Sequence, residues 1–240
     1  MSLLITICAR GGSKGIPGKN IRLVNGLPLI AYSIRHALLY AKRTGADIAL
    51  STDSAEIREV AAAHGLKSDY VRPAKLASDA AGKLPVLRDV LLHEERKNAK
   101  SYDFLLDLDV TSPLRTIEDL DKAFEMLKDR PEALNIFTVS FPTHNPYFDM
   151  VEEGGDGFVH LIKTPESTVL SRQEGPKVFD ENASFYFYRR AYFESMDLHL
   201  PHQSLAYLMP HPCFEIDSPL DMEFLEYLLA HDKLGFVLPS

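Results

Sequence analysis

The stretch Ala9-Arg10-Gly11-Gly12-Ser13-Lys14-Gly15-Ile16-Pro17-Gly18-Lys19-Asn20 follows directly on the apolar run Leu3-Leu4-Ile5-Thr6-Ile7-Cys8. The run reads as a buried first strand, six residues with no helical spacing. The four glycines after it let backbone approach a ligand closely, with N–H groups turned outward. Arg10, Lys14 and Lys19 surround that concavity with positive charge, a combination suited to a polyphosphate. The stretch is not a Walker A loop, because Ser13 stands where that pattern needs its first Gly and Asn20 where it needs Ser or Thr. It is not the Gly-x-Gly-x-x-Gly of dinucleotide-binding folds either. The bland alternative is a glycine-rich turn with incidental lysines.

Outward from this loop, strand and helix patterns alternate over the first 140 residues. Strands are expected at 3–8, 47–51, 69–71, 103–108 and 134–140, and helices at 28–42, 54–64, 84–98 and 117–128. Asp53 with Glu56 reads as a capping box for the second helix, and Thr116 with Asp119 opens the fourth. This β-α order predicts an α/β fold: a mostly parallel twisted sheet with helices on both faces. The alternation breaks at 141–181, rich in Pro, Gly and charge, where 159–162 reads as one short strand. Aromatic alternation then predicts a strand over 182–189, with short strands at 207–209 and 214–216. A last helix runs from Ser218 as N-cap, with Pro219 behind it, to about Ala230. A single domain over 1–240 is expected, with 141–190 as an insertion.

The net charge of −8 argues against nucleic acid or an anionic membrane as partner and makes the cationic loop a local exception. Two isolated cysteines, Cys8 and Cys213, have no zinc spacing and fit a reducing cytoplasm. The apolar run at 3–8 is too short for a signal segment or a spanning helix, so a cytoplasmic location is expected.

In a parallel sheet, ligands gather at the carboxyl ends of the strands. That rule collects Arg10 to Asn20, Thr52 and Asp53, Arg72, Asp109 to Arg115, and the pair Glu215 and Asp217 on one edge. Cations that hold phosphate beside carboxylates that hold a metal are what Mg²⁺-dependent nucleotidyl transfer requires. Glu215 and Asp217 alternate with Ile216 and so face one side of the predicted 214–216 strand. Asp217 has the alternative role of helping to cap the last helix. Asp107 reads as a hydrogen-bonded carboxylate deep in its strand.

Residues 9–20 resemble the N-terminal signature of the acylneuraminate cytidylyltransferases at every fixed position, Ala-Arg-Gly-Gly-Ser-Lys-Gly-x-x-x-Lys-Asn. Further landmarks follow in that family's order: Pro28 to Ser33, Ser51-Thr52-Asp53, Arg72-Pro73, Leu76 to Asp79, Thr111 to Arg115, Asn182-Ala183-Ser184 and Ile216-Asp217-Ser218. The resemblance covers nearly the whole chain. It implies a nucleotide-diphospho-sugar transferase-like fold and a homodimer in which the 141–190 region carries sugar contacts and reaches the partner subunit. It also implies an enzyme that joins CTP to a nonulosonic (sialic-acid-like) sugar acid with release of pyrophosphate.

Carried over residue by residue, the resemblance assigns Arg10, Gly11, Gly12, Ser13, Lys14, Lys19 and Asn20 to the triphosphate and Arg72 and Ser78 to the nucleotide pocket. Asp109, Arg172 and Asn182 fall to the sugar acid, and Glu215 and Asp217 to Mg²⁺. Arg10, Lys19 and Asp217 are the expected catalytic residues. Two positions depart from the family pattern: Glu215 stands for the first Asp of an Asp-x-Asp, and Asp109 for a Gln usual in the sialic acid enzymes. The Asp107-Leu108-Asp109-Val110-Thr111-Ser112-Pro113 segment and Lys83-Leu84-Pro85-Val86 look closer to the branch that activates legionaminic-type sugars. A glycosyltransferase, whose metal motif Asp107-Leu108-Asp109 imitates, and a non-catalytic nucleotide-binding protein of the same fold are the rival readings.

Overall fold

A computed structural model describes residues 1–12, 15–78, 81–164, 175–195 and 203–239. The first strand, β1 (Leu3–Cys8), lies between two parallel neighbours, β4 (Asp47–Ser51) and β5 (Phe104–Leu108). Between β1 and β4 come a hairpin of β2 (Leu23–Val24) and β3 (Leu27–Pro28) and the helix α1 (Leu29–Thr44). The chain then passes through α2 (Ala55–Ala63) and α3 (Lys83–Asn98) to reach β5 on the other side of β1. The reversal makes the carboxyl end of β1 a topological switch point, where open sheets hold their ligands.

Past β5 the order continues through α4 (Ile117–Lys128), β6 (Asn135–Ser140), β7 (Val151–Glu153), β8 (Val159–Leu161) and β9 (Asp180–Arg189). Then come the short α5 (Tyr192–Ser195), β10 (Ser204–Leu208) and α6 (Pro219–Ala230). The main sheet runs β10-β6-β9-β5-β1-β4. β9 is antiparallel to both its neighbours and fills the space between β5 and β6, so the other strands all point one way. β7 and β8 pair outside this sheet.

Helices cover both faces, as the alternation of strand side chains requires. Leu3, Ile5 and Ile7 join Ile30 and Ile34 of α1, Leu120 and Phe124 of α4, and Leu225 of α6 in one cluster. Leu4 and Leu105 face the other way, against Leu87, Val90 and Leu91 of α3 and Tyr192 and Phe193 of α5.

Three local expectations are corrected. Residues 69–71 form no strand: Arg72 N donates to Thr52 O at 3.0 Å, one backbone bond just past the end of β4 rather than a ladder. Residues 214–216 form none either; Ile216 N reaches Thr111 O at 2.8 Å, and Ile216 packs into the main hydrophobic cluster between an exposed Glu215 and an exposed Asp217. The cap of α2 is Ser54, whose Oγ accepts from Ile57 N, and not Asp53. The boxes of α4 (Thr116 with Asp119) and α6 (Ser218 with Asp221, Pro219 inside) form as their sequences predict.

Candidate active site

A cavity of about 340 Å³ opens at the carboxyl ends of β1, β4 and β5. Arg10, Lys19, Asn20, Arg72, Ser78 and Asp109 all line it, together with Cys8, Lys83 and Thr111. The sheet edge thus brings together residues spread over a hundred positions of sequence. Ser13, Lys14 and Arg172 lie outside the described residues.

The loop after β1 is closed by its own bonds. Ala9 N extends the ladder to Ser51 O (2.9 Å), and Asn20 Nδ2 donates across the loop to Arg10 O (2.9 Å). Gly18 turns the chain at φ +66° into the short 3-10 turn that carries Lys19 and Asn20, a conformation that a Cβ would strain. Gly15 is required for closeness: a Cβ there would lie 2.8 Å from Asp217 O. Lys19 Nζ donates to Ile216 O (2.7 Å) and stands 3.4 Å from Asp217 Oδ1, so the loop and the 215–217 segment share one cation. The N–H of Gly11 is engaged by Asp53 Oδ1 at 2.9 Å, which gives Asp53 its structural task.

Arg72 is nearly buried, its Nε on Ser51 Oγ (3.0 Å) and its Nη2 on Ser51 O (2.7 Å), so its guanidinium is pinned where β4 ends. Ser78 is exposed beside it. Asn182 is buried and turned onto Ser140, to whose Oγ it donates at 2.8 Å, while its Oδ1 accepts from Ser184 N. It is not among the residues lining the cavity.

The other charged group in the cavity is built on β5. Lys83 Nζ lies 2.8 Å from Asp107 Oδ2, 2.8 Å from Asp109 Oδ2 and 4.5 Å from the centre of the Tyr186 ring. Asp107 Oδ1 accepts from Thr6 Oγ1, and Asp109 Oδ1 accepts from both the N and the Oγ1 of Thr111, each at 2.8 Å. Burial by itself would favour a neutral lysine, but the two carboxylates outweigh it and hold the Lys83 ammonium well above the ordinary lysine range. Burial pushes the Asp109 carboxyl up; Lys83 and Thr111 reverse that and leave it below its usual value. The Cys8 thiol is pushed up to about 12, by burial first and then by Asp107, so it is not a thiolate nucleophile at neutral pH.

Arg115 stands behind this wall, fully buried. Its Nη2 donates to Asp109 O and Ser112 O (2.5 and 2.6 Å) and its Nε to Ser184 Oγ (3.0 Å), which fixes the turn that presents Asp109 and Thr111. Thr111 Oγ1 also reaches Glu215 Oε1 at 3.2 Å. The Glu215 carboxyl is raised by burial and then by the charges of Asp109 and Asp217. Asp217 gives only its backbone N–H to the α6 cap, at Asp221 Oδ2, and its side chain is largely exposed toward Lys19. The capping role is therefore Ser218's and Asp221's.

Thr111 and Arg115 fall within the 109–115 stretch that the sheet-edge rule collects and Lys83 within the quoted 83–86 segment, but the sequence gives none of the three a role of its own. Lys83 left one signal. The first turn of α3 has a lysine and no acid, against the preference of a helix N-terminus for negative charge. Such a cation has to be stabilised from outside its own helix.

Comparisons with known proteins identify the family and the fold. A family profile described as "Cytidylyltransferase" matches residues 4–234. The chain is 39% identical to the post-translational flagellin modification protein B of Campylobacter coli, covering 97% of both chains. It is also 39% identical to a CMP-N,N'-diacetyllegionaminic acid synthase of Campylobacter jejuni, again over 97% of each. Among solved structures it is similar to CMP:2-keto-3-deoxy-manno-octonic acid synthetase complexed with CTP. That match has a TM-score of 0.68 at 18% identity, over 97% of this chain and 100% of that one, and it speaks to the fold. With a glycine loop, a switch-point cavity and a profile match running almost end to end, the chain belongs to the cytidylyltransferase family.

Proposed function

We propose that this protein transfers CMP from CTP to the anomeric hydroxyl of a nonulosonic acid. The hydroxyl oxygen bonds to the α-phosphorus, the bond to the β-phosphate oxygen breaks, pyrophosphate leaves and the hydroxyl proton is lost. The observation that carries the reading is a single cavity lined by Arg10, Lys19, Asn20 and Arg72 together with Asp109. The relatives named for legionaminic acid activation support the same substrate class.

In this reading Arg10 and Lys19, with the loop amides and Ser13 and Lys14, orient the triphosphate. Arg72 and Ser78 border the nucleotide. Asp109, Arg172 and Asn182 serve the sugar end, with Asn182 acting through the β9 backbone that it braces. Glu215 and Asp217 fit a hard divalent cation: both offer oxygen, and Glu215 feels two neighbouring carboxylate charges that a cation would relieve. Glu215 and Asp217 would hold Mg²⁺, which would supply charge neutralisation for the α-phosphate and the departing pyrophosphate.

The chain acts as a single cytidylyltransferase domain, and the part of 141–190 that precedes β9, a central strand of the main sheet, pairs two copies. Phe141 and Phe158 are 74 and 76% exposed and Val151 and Val159 more than half, an apolar surface that a second copy would cover. A mass near twice 26.9 kDa in solution checks this. A cytoplasmic site of action fits the reaction's need for CTP; among the described residues no helix is long and apolar enough to cross a membrane.

The deciding experiment is pyrophosphate release with CTP, Mg²⁺ and a panel of nonulosonic acids. Turnover with a legionaminic-type acid is expected. Turnover of a preformed nucleotide sugar instead would identify a glycosyltransferase, and CTP binding without release on any acid would identify a non-catalytic nucleotide-binding protein.

A further inference from the structure

Asp109 is held from three directions. A carboxylate has about four lone-pair positions. Thr111 N and Oγ1 take two on Oδ1 and Lys83 takes one on Oδ2. One acceptor position remains, on a side chain that lines the cavity. Lys83 has no such freedom. Its ammonium donates to Asp109, pairs with the Asp107 carboxylate and sits over the face of Tyr186, and Tyr186 is itself tied through its hydroxyl to Glu181 Oε1 at 2.8 Å. Lys83 itself lines the cavity, but its ammonium is turned onto these partners, and its effect on a ligand is exerted through Asp109.

The arrangement has a chemical consequence. An amide side chain at 109 would offer both donor and acceptor to a ligand. A carboxylate locked by an ammonium offers only an acceptor, and it cannot take up a proton to become a donor while Lys83 stays charged beside it. We infer that Lys83 is a positioning residue that fixes Asp109 as an accept-only contact and so restricts the sugar subsite to acids that present an N–H or O–H donor at that point. An acylamino nitrogen is one such donor and a hydroxyl another. The inference rests on the sugar-acid reading above and names the residue that tunes it.

The test separates the two substrates. In Lys83→Met the KM for the sugar acid is expected to rise about tenfold or more, the size of one charge-assisted hydrogen bond lost, while the KM for CTP stays within about twofold. Lys83→Arg should recover much of the loss, because a guanidinium keeps the charge beside both carboxylates. In an Asp109→Asn background, Lys83→Met should add little further, since a residue that acts through another is not additive with it. Thermal melting is run beside each assay; a merely structural lysine would lower Tm and disturb both substrates alike. Equal rises in both KM values, or full additivity of the two substitutions, overturns the inference with the proposed function intact. A wild-type protein that turns over none of the acids overturns that function, and the inference with it.

Discussion

The loop at 9–20 and the segment at 107–115 line the same cavity and hold charge there by different means. The loop uses backbone. Its turns are closed by main-chain bonds and an asparagine, and its cation Lys19 reaches out to a carbonyl and a carboxylate of the 215–217 segment. The β5 wall uses side chains. Lys83, Asp107, Asp109, Thr6 and Thr111 contact one another around a buried cluster, and Arg115 fixes the turn from behind. A backbone-built wall tolerates whatever anion fits its concavity. A wall of interlocked side chains discriminates, because most of its donors and acceptors are already committed and little is left to offer a ligand. The first suits a triphosphate that every member of a nucleotide-using family shares, and the second suits the substrate that differs between branches.

The largest effect is expected where the two walls meet. Asp217→Asn should cut Mg²⁺-dependent kcat by roughly a hundredfold, a few kcal/mol of lost metal-borne charge stabilisation. Tm should hold, because Ser218 and Asp221 carry the α6 cap. Ser218→Ala supplies the contrast, about 1 kcal/mol of stability lost with kcat near wild type. If Asp217→Asn loses activity only by melting early, the 215–217 segment is a helix start and nothing more.

Lys19→Ala should raise the KM for CTP tenfold or more, since a charge-assisted contact contributes roughly 1.5–3 kcal/mol. Unchanged CTP kinetics would remove the loop from the triphosphate and with it the contrast between the walls. Asp109→Gln tests the other wall and should do less. Activity persists, CTP kinetics hold, and the ranking of nonulosonic acids changes. A uniform fall in kcat on every acid would instead make Asp109 a group that the chemistry itself requires.

The smallest effect concerns the link from the 209–217 segment to α4. His211 Nε2 lies 2.9 Å from Asp119 Oδ2, and although burial lowers its pKa, Asp119 more than reverses this. A histidine whose folded pKa is raised stabilises the fold below its unfolded value, near 6.5, and loses that contribution as pH rises through the folded pKa. The Tm advantage of wild type over His211→Gln should therefore shrink as pH is raised from about 6 to about 8. A pH-independent difference would mean that the pair acts only as a neutral hydrogen bond.

The two walls also differed in how far they could be read from sequence. The loop was legible because its chemistry is local: glycines, lysines and an asparagine within twelve residues of a strand end. Asp109 was legible as a sheet-edge carboxylate, but its partner was not. Lys83 is 26 positions away and reaches it only because α3 packs across β1 and β4, from where the lysine side chain extends to Asp109 and the Tyr186 ring of β9. Strand 182–189 was readable from its aromatic alternation, while its antiparallel sense was not, since alternation fixes which faces are apolar and not the direction of a neighbour. Tyr70 and Ile216 are buried by packing into the core from segments tied to the sheet by single backbone bonds, and periodicity does not distinguish that from a ladder.

The placement of β9 bears on how the protein is made. β5 and β6 leave the ribosome well before residues 180–189, yet they never touch each other as partners; each pairs with β9. Until that strand is synthesised, β5 keeps one edge unpaired and β6 has no strand partner, since its other neighbour β10 comes later still, and Phe185 to Tyr188 are the apolar residues that will join them. The partners of Lys19 arrive later still, 198 positions down the chain. Catalytic competence is therefore a late event in the life of each chain, and an unfinished one carries exposed strand edges that invite aggregation or a chaperone.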